Sequence, residues 1–194
     1  MDDAAEELFD EFEDDYDEYE DSYETLKEAS EEGPDEKRYI IVRTTPSGFT
    51  PAAMGEGAAV GLRVYTEGLS TCIGMLASGQ VPSGETVNVL SHSLVNDQSG
   101  MEEQWKGFKD AVLGAGYIGV RLIMSSSNPD QLPESAAGAK DQMAYTNDLV
   151  RNLMTKLTDY EPEDYPHDGN KAHQLPHGTI KADGENIEVN GNRV

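Results

Sequence analysis

The sequence predicts an α/β fold: a small three-layer domain with a short, mostly parallel sheet, preceded by an acidic, helix-prone segment and followed by a β-hairpin. Three observations carry this. First, β-branched runs alternate with helix-period apolar stretches between residues 38 and 160, an order that argues for strands joined by helical crossovers. Second, residues 1–37 hold 19 acidic residues against Lys27 and Lys37, which is half of all the acid in the chain. Third, Asp183-Gly184 between Thr179-Ile180 and Ile187–Val189 is a hairpin signal. The expected divisions are therefore 1–37, the acidic segment; 38–160, the α/β domain; and 161–194, a polar tail with the hairpin.

The first strand is expected at residues 38–44 (RYIIVRT). After a turn, Thr50 and Pro51 suit the cap and first position of a helix. Met54, Leu62, Tyr65, Leu69, Ile73 and Leu76 would give that helix an apolar face to about Ala77, with Gly79 and Pro82 ending it. Residues 86–90 (TVNVL) read as a second strand. Ser99 and Glu102 match a capping box, opening a helix whose buried face is Met101, Trp105, Phe108, Ala111 and Val112 and which ends at Gly114 and Gly116. Residues 118–124 (IGVRLIM) read as a third strand. A loop with Pro129 and Pro133 leads to a last helix from about Lys140 to Asp159, with Leu149, Val150, Leu153, Met154 and Leu157 inward. Three strands make a thin sheet, so an added edge strand or a partner chain is expected to help bury it. A lone hairpin is marginal in water, so the C-terminal one is expected to dock on the domain or on a neighbouring subunit.

The net charge is −24, but residues 38–194 carry only 19 acidic against 12 basic residues, a net of −7. The acidity is local. It repels phosphate, which argues against direct nucleic-acid binding, and it favours a basic partner. No apolar run approaches the ~18 residues that would span a bilayer, and the N-terminus lacks the layout of a secretory signal. The expectation is a soluble protein with no membrane partner, intracellular (cytoplasmic) or part of an assembled particle. Cys72 is the only cysteine. It allows no internal disulfide and is expected to be a buried free thiol.

Within the acidic segment the bulky apolar residues are Phe9, Phe12, Tyr16, Tyr19, Tyr23 and Leu26, at gaps of 3, 4, 3, 4 and 3. On a helix all six share one face. Dense like charge on the other faces opposes an isolated helix, so the segment is expected to become helical against a partner surface. A tail serving only solubility has no need of that spacing. Gly33-Pro34 then marks the boundary.

Ligands of open parallel sheets bind at the carboxyl ends of the strands. Here those ends carry Thr45, Ser47 and Gly48, then Ser91, His92 and Ser93, then Ser125 and Ser126 with Ser127 and Asn128 after them. Such hydroxyl-rich ends could hold an anion, although Ser, Thr and Gly also simply suit turns. Residues 87–94 (VNVLSHSL) resemble the strand-to-helix elbow of α/β hydrolases, with Ser91 as the small residue two before the serine and Val95 departing from the pattern two after it. That resemblance implies Ser93 as nucleophile, with an acid at Asp130 or Asp168 and a base at His173 or His177. Gly55, Gly57 and Gly61 have the outline of a dinucleotide-binding run but fall inside the expected helix instead of directly after a strand. His167, Asp168, His173 and His177 match no metal-ligand spacing and read as surface loop residues. No metal or cofactor is implied. The leading functional expectation is a non-enzymatic interaction or assembly module that docks through the acidic aromatic segment. The alternative is a domain binding a small anionic ligand or nucleotide, or a divergent serine hydrolase, at the strand ends.

Overall fold

A computed structural model describes residues 45–94, 98–172 and 174–194. The acidic stripe and the expected strand at 38–44 lie outside them. The described chain folds into three layers: two helices, a central five-stranded sheet, and a second five-stranded sheet on its far face.

The central layer is built on β4 (Ile73–Gln80), which is flanked by β5 (Thr86–Ser93) and β6 (Gly119–Ser125) and runs antiparallel to both. Short strands β2 (Ala59–Gly61) and β7 (Glu163–Asp164) complete the order β2-β5-β4-β6-β7. Helix α1 (Gln98–Ala115) connects β5 to β6, and α2 (Ala137–Thr158) connects β6 to β7, with which β6 pairs in parallel. Met101, Trp105, Phe108 and Val112 recur at helical spacing on α1. They bury against Ile73, Met75, Ala77 and Val89 together with Leu149, Val150, Leu153 and Met154 of α2. Each large side chain so buried contributes about 1.5–3 kcal/mol.

The second sheet has the order β1-β3-β8-β9-β10, with β1 (Thr50–Pro51), β3 (Arg63–Thr66), β8 (Ile180–Asp183), β9 (Asn186–Val189) and β10 (Asn192–Arg193). Its inner residues Val64, Ile180, Ala182, Ile187 and Val189 pack on Leu76, Leu90 and Ile123 from the far face of the central sheet. The outer face carries ion pairs, Arg63 with Asp183 and Lys181 with Glu188. β8 and β9 are the expected hairpin. It docks within the chain, by antiparallel pairing of β8 with β3, so residues 161–194 contribute to the same core as the rest.

Two expectations are corrected. The region 50–77 is not a helix. It holds β1, β2, β3 and half of β4. Of its expected apolar face only Ile73 and Leu76 lie in β4, a strand buried on both faces that shows no period of 2; Tyr65 lies in β3, and Met54, Leu62 and Leu69 in the connections. Gly55, Gly57, Gly61, Gly68 and Gly74 speak against the helix at about 1 kcal/mol each relative to Ala, and Gly55 and Gly68 have positive φ. The second correction follows from the first. The sheets are mixed and mostly antiparallel, because β4 inserts between the two strands expected to be parallel neighbours. The other expected elements stand with small shifts. β5 extends to Ser93, α1 starts one residue before Ser99, and α2 begins at Ala137. Cys72 is a buried thiol outside any disulfide, in the bend before β4 instead of in a helix.

β4 and β6 approach most closely at Gly79, where an added Cβ would overlap the Gly119 carbonyl oxygen, whereas a Cβ on Gly119 meets nothing within 4 Å. Backbone cannot yield as a side-chain tip can. Gly79→Ala is therefore expected to cost about 1–3 kcal/mol, and Gly119→Ala far less. Chemical denaturation of the two variants checks this, and equal losses would contradict the close approach.

Candidate functional site

The most unusual feature of the described residues is a set of buried polar side chains at one end of the central sheet. The ends of β5 and β6 meet there, on either side of the start of β4. Gly74 lies opposite His92 in one register and opposite Ser125 in the other. Ser91, His92, Ser93, Ser125, Ser126 and Ser127 are all buried, and His167 joins them at 2 % exposure. Two of the three expected hydroxyl clusters thus come together. The third does not. Gly48 sits against Arg63 at the start of β3, whereas His92 bonds Thr66 at its end, so Thr45, Ser47 and Gly48 lie toward the opposite end of the sandwich.

The local hydrogen bonds explain why these residue types stand here. Loops that close this end bury main-chain carbonyls, and a buried carbonyl needs a donor. The Ser125 hydroxyl donates to the Tyr165 carbonyl at 2.9 Å. Ser127 lies 3.3 Å from the carbonyls of both Ser70 and Cys72. Asn147 Nδ2 of α2 donates to the Ser127 carbonyl at 2.8 Å, and the Thr66 hydroxyl to that of Ala52 at 2.8 Å. On the helix side of β6, Asp164 accepts from the Ser126 amide and hydroxyl and from Arg151, an ion pair at 2.8 Å.

At the centre of this network, His167 Nε2 lies 3.1 Å from the Ser70 carbonyl and Nδ1 lies 3.1 Å from Ser125 Oγ. A carbonyl only accepts, so Nε2 carries the proton, and in the neutral ring Nδ1 is an acceptor. Ser125 then has one proton for two acceptors, Nδ1 and the Tyr165 carbonyl. Burial pushes the His167 pKa down, opposed by the Ser70 carbonyl and by the charges of Asp164 and Asp168. A hydroxyl against an imidazole has the outline of a nucleophile and its base. Here, however, the serine is fully buried, and the far ring nitrogen is held by the main chain instead of a carboxylate. In this geometry the pair fastens the 165–172 segment to β6 and to the 70–72 bend.

Ser93 stands differently from the elbow resemblance. β5 continues in register with β4 through Ser93, opposite Ile73, with no sharp turn at the serine. Neighbouring strand residues face opposite sides, so Ser93 and His92 point apart, and the Ser93 hydroxyl lies 3.4 Å from the Leu94 carbonyl. Gly55 and Gly57 occupy the turn between β1 and β2, outside any helix. His167 is corrected from a surface loop residue to a buried one. Asp168 is exposed to partial degree and pairs with Lys171, which holds its carboxyl below the usual range. His173 and the stripe residues Phe9, Phe12, Tyr16, Tyr19, Tyr23 and Leu26 lie outside the described residues. Among the described residues no group of three or more His, Cys, Asp or Glu side chains is placed to hold a metal ion. Sequence reading placed Ser127 at the strand end but missed Asn147, Arg151 and Asp164 as members of the network. Their partners are distant in sequence, and no local motif marks them.

Comparison with protein-family models, with curated proteins and with solved structures finds no match to this chain.

The network makes a pH prediction. A histidine whose pKa is lowered in the folded state contributes stability that is fully present above its ordinary value of 6.5 and is lost as pH falls below it. Stability should therefore decline as pH falls below about 6.5, before Glu163, held down to about 2 chiefly by Arg121, begins to titrate. His167→Gln is expected to be less stable at pH 7.5 by about 1–3 kcal/mol and to show a flatter profile across that window. Urea unfolding at several pH values reads both, and an unchanged slope in the variant would contradict a neutral, buried His167.

Proposed function

We propose that the chain is a non-enzymatic protein-interaction or assembly module. Its acidic N-terminal segment would dock, through Phe9, Phe12, Tyr16, Tyr19, Tyr23 and Leu26, on a surface that is basic and partly apolar. That surface belongs to a partner protein or to another copy of the chain. The single observation that carries this reading is the stripe itself: six bulky apolar residues at gaps of 3 and 4 in a segment otherwise almost wholly acidic. Such a segment gains binding energy from the rings, while its charge speeds encounter and makes association salt-sensitive.

At the strand ends the Ser125 and Ser127 hydroxyls lie on loop carbonyls and the Ser126 hydroxyl on Asp164, which gives the alternative, an anionic-ligand, nucleotide or serine-hydrolase site there, less support. Among the described residues no helix is long and apolar enough to cross a membrane.

Removing residues 1–33 should leave the melting temperature of the domain within a few degrees of the full chain and abolish association. Changing all six stripe residues to Ser, with every charge kept, should do the same. Sedimentation of the full chain and both variants at low and high salt makes the comparison. Assembly of either variant to the mass reached by the full chain would rule the proposal out. Stabilisation of the domain by nucleotides or simple anions in a thermal-shift screen would favour the alternative.

A further inference from the structure

We propose that a polar cleft between the two sheets, at the end of β4, binds a small zwitterion of the amino-acid class. The pairing of the central strands lays out its floor. On the face of β5, β4 and β6 turned to the second sheet, Leu90, Leu76 and Ile123 stand side by side in the core. Side chains on one face of a strand recur every second residue. The next row on that face is therefore Asn88, Ser78 and Arg121, and the last is Thr86, Gln80 and Gly119. The inner face turns from apolar to polar in one step, although Ile187 and Glu185 from the β8–β9 hairpin still border it. The space left there is about 260 Å3, and it opens into a wider groove beside Gly119.

A merely solvated sheet end does not explain the middle row. Ser78 is 6 % exposed, and among the described residues its hydroxyl makes no hydrogen bond. Its neighbour Asn88 donates through Nδ2 to the carbonyls of Leu62 and Gly184 at 2.8 and 3.1 Å, while Oδ1 is buried with no hydrogen-bond partner. Buried polar groups left unpaired are costly, and Ser78 borders a space that admits a partner. The charged groups beside it are held in place. Glu163 fixes Arg121 at 2.5 Å from Nε and 2.6 Å from Nη2, and Glu185 Oε1 accepts from Gln80 at 3.3 Å. Side chains fixed beforehand lower the ordering cost of binding.

Charge and size select the ligand. The described lining holds one cation, Arg121, and one anion, Glu185, and the ion-pair partner of Arg121 is Glu163 instead. A molecule with a single charge answers one of the two; a carboxylate and an ammonium group on one small frame answer both. The fork to Glu163 uses Nε and Nη2, so a ligand carboxylate is offered at most Nη1 and the Ser78 hydroxyl, too little for a polyphosphate. Residues 45–194 carry 19 acidic against 10 basic residues, a net of −9, which repels multivalent anions as well. Among the described lining residues there is no aromatic ring to stack a nucleobase. The volume lies below the ~300–1,000 Å3 of drug-sized sites, which leaves room for a handful of heavy atoms.

The inference is independent of what the acidic segment binds. Solution NMR of the full chain titrated with glycine, alanine, serine and glutamine tests it. Saturable amide shifts are expected at residues 78–80, 119–121 and 185–187, with half-saturation at or below about 1 mM for the best of the four. A Cβ on Gly119 meets nothing within 4 Å. Gly119→Val, which narrows the mouth of the cleft, should therefore melt within a few degrees of the unaltered chain and lose the response. Ser78→Ala should weaken binding by about tenfold or more. No saturable shift at these positions with any common amino acid at about 10 mM, or an undiminished response in either variant, overturns the proposal. Acetate alone or methylammonium alone acting as strongly as the best amino acid overturns the zwitterion class.

Discussion

The domain depends on β4 being buried from both faces. It pairs with β5 along its whole length and with β6 along nearly all of it. It also sends Ile73, Met75 and Ala77 into the helix-side core and Leu76 into the core between the sheets. Neither core exists without it. The helices have nothing to cover, and the second sheet has no floor. Because the strand has no solvated side, any residue added to it must displace something, and at Gly79 the thing displaced is the backbone of β6.

Burying the start of this strand creates a second demand. The loops at its start are covered as well, and their carbonyls leave water. The chain meets this with short donors: Ser125, Ser127, Thr66, His167 and, from α2, Asn147. This accounts for Ser125 and Ser127 at the end of β6 in structural terms, whereas at the end of β5 the Ser91 hydroxyl is buried with no hydrogen-bond partner. Individually such bonds are worth about 1 kcal/mol, but leaving a buried carbonyl unpaired costs more. The Ser125 and Ser127 hydroxyls thus fasten this end of the sheet.

How much of this was legible in the sequence follows from the same physics. α1 was readable because Met101, Trp105, Phe108 and Val112 lie on one face of a half-exposed helix, and the hairpin because Asp183-Gly184 marks its turn. β4 was not readable, because a strand buried on both faces carries no alternation, and the Thr50-Pro51 pair imitated a helix start. That one miss turned an antiparallel centre into an expected parallel sheet. At the candidate site the meeting of Ser91–Ser93 with Ser125–Ser126 followed from strands being in phase. The burial of His167 and the part played by Asp164 rest on contacts spanning 38 to 97 residues, to the end of β6 and the 70–72 bend, which no local pattern encodes.

The functional account places the interaction on the acidic segment and leaves the domain as its anchor. Hydroxyl-radical footprinting of the assembled protein tests this most directly. The account predicts that Phe9, Phe12, Tyr16, Tyr19 and Tyr23 are shielded from oxidation in the assembly and become reactive when high salt dissociates it. Uniform reactivity of the five rings in the intact assembly would contradict it.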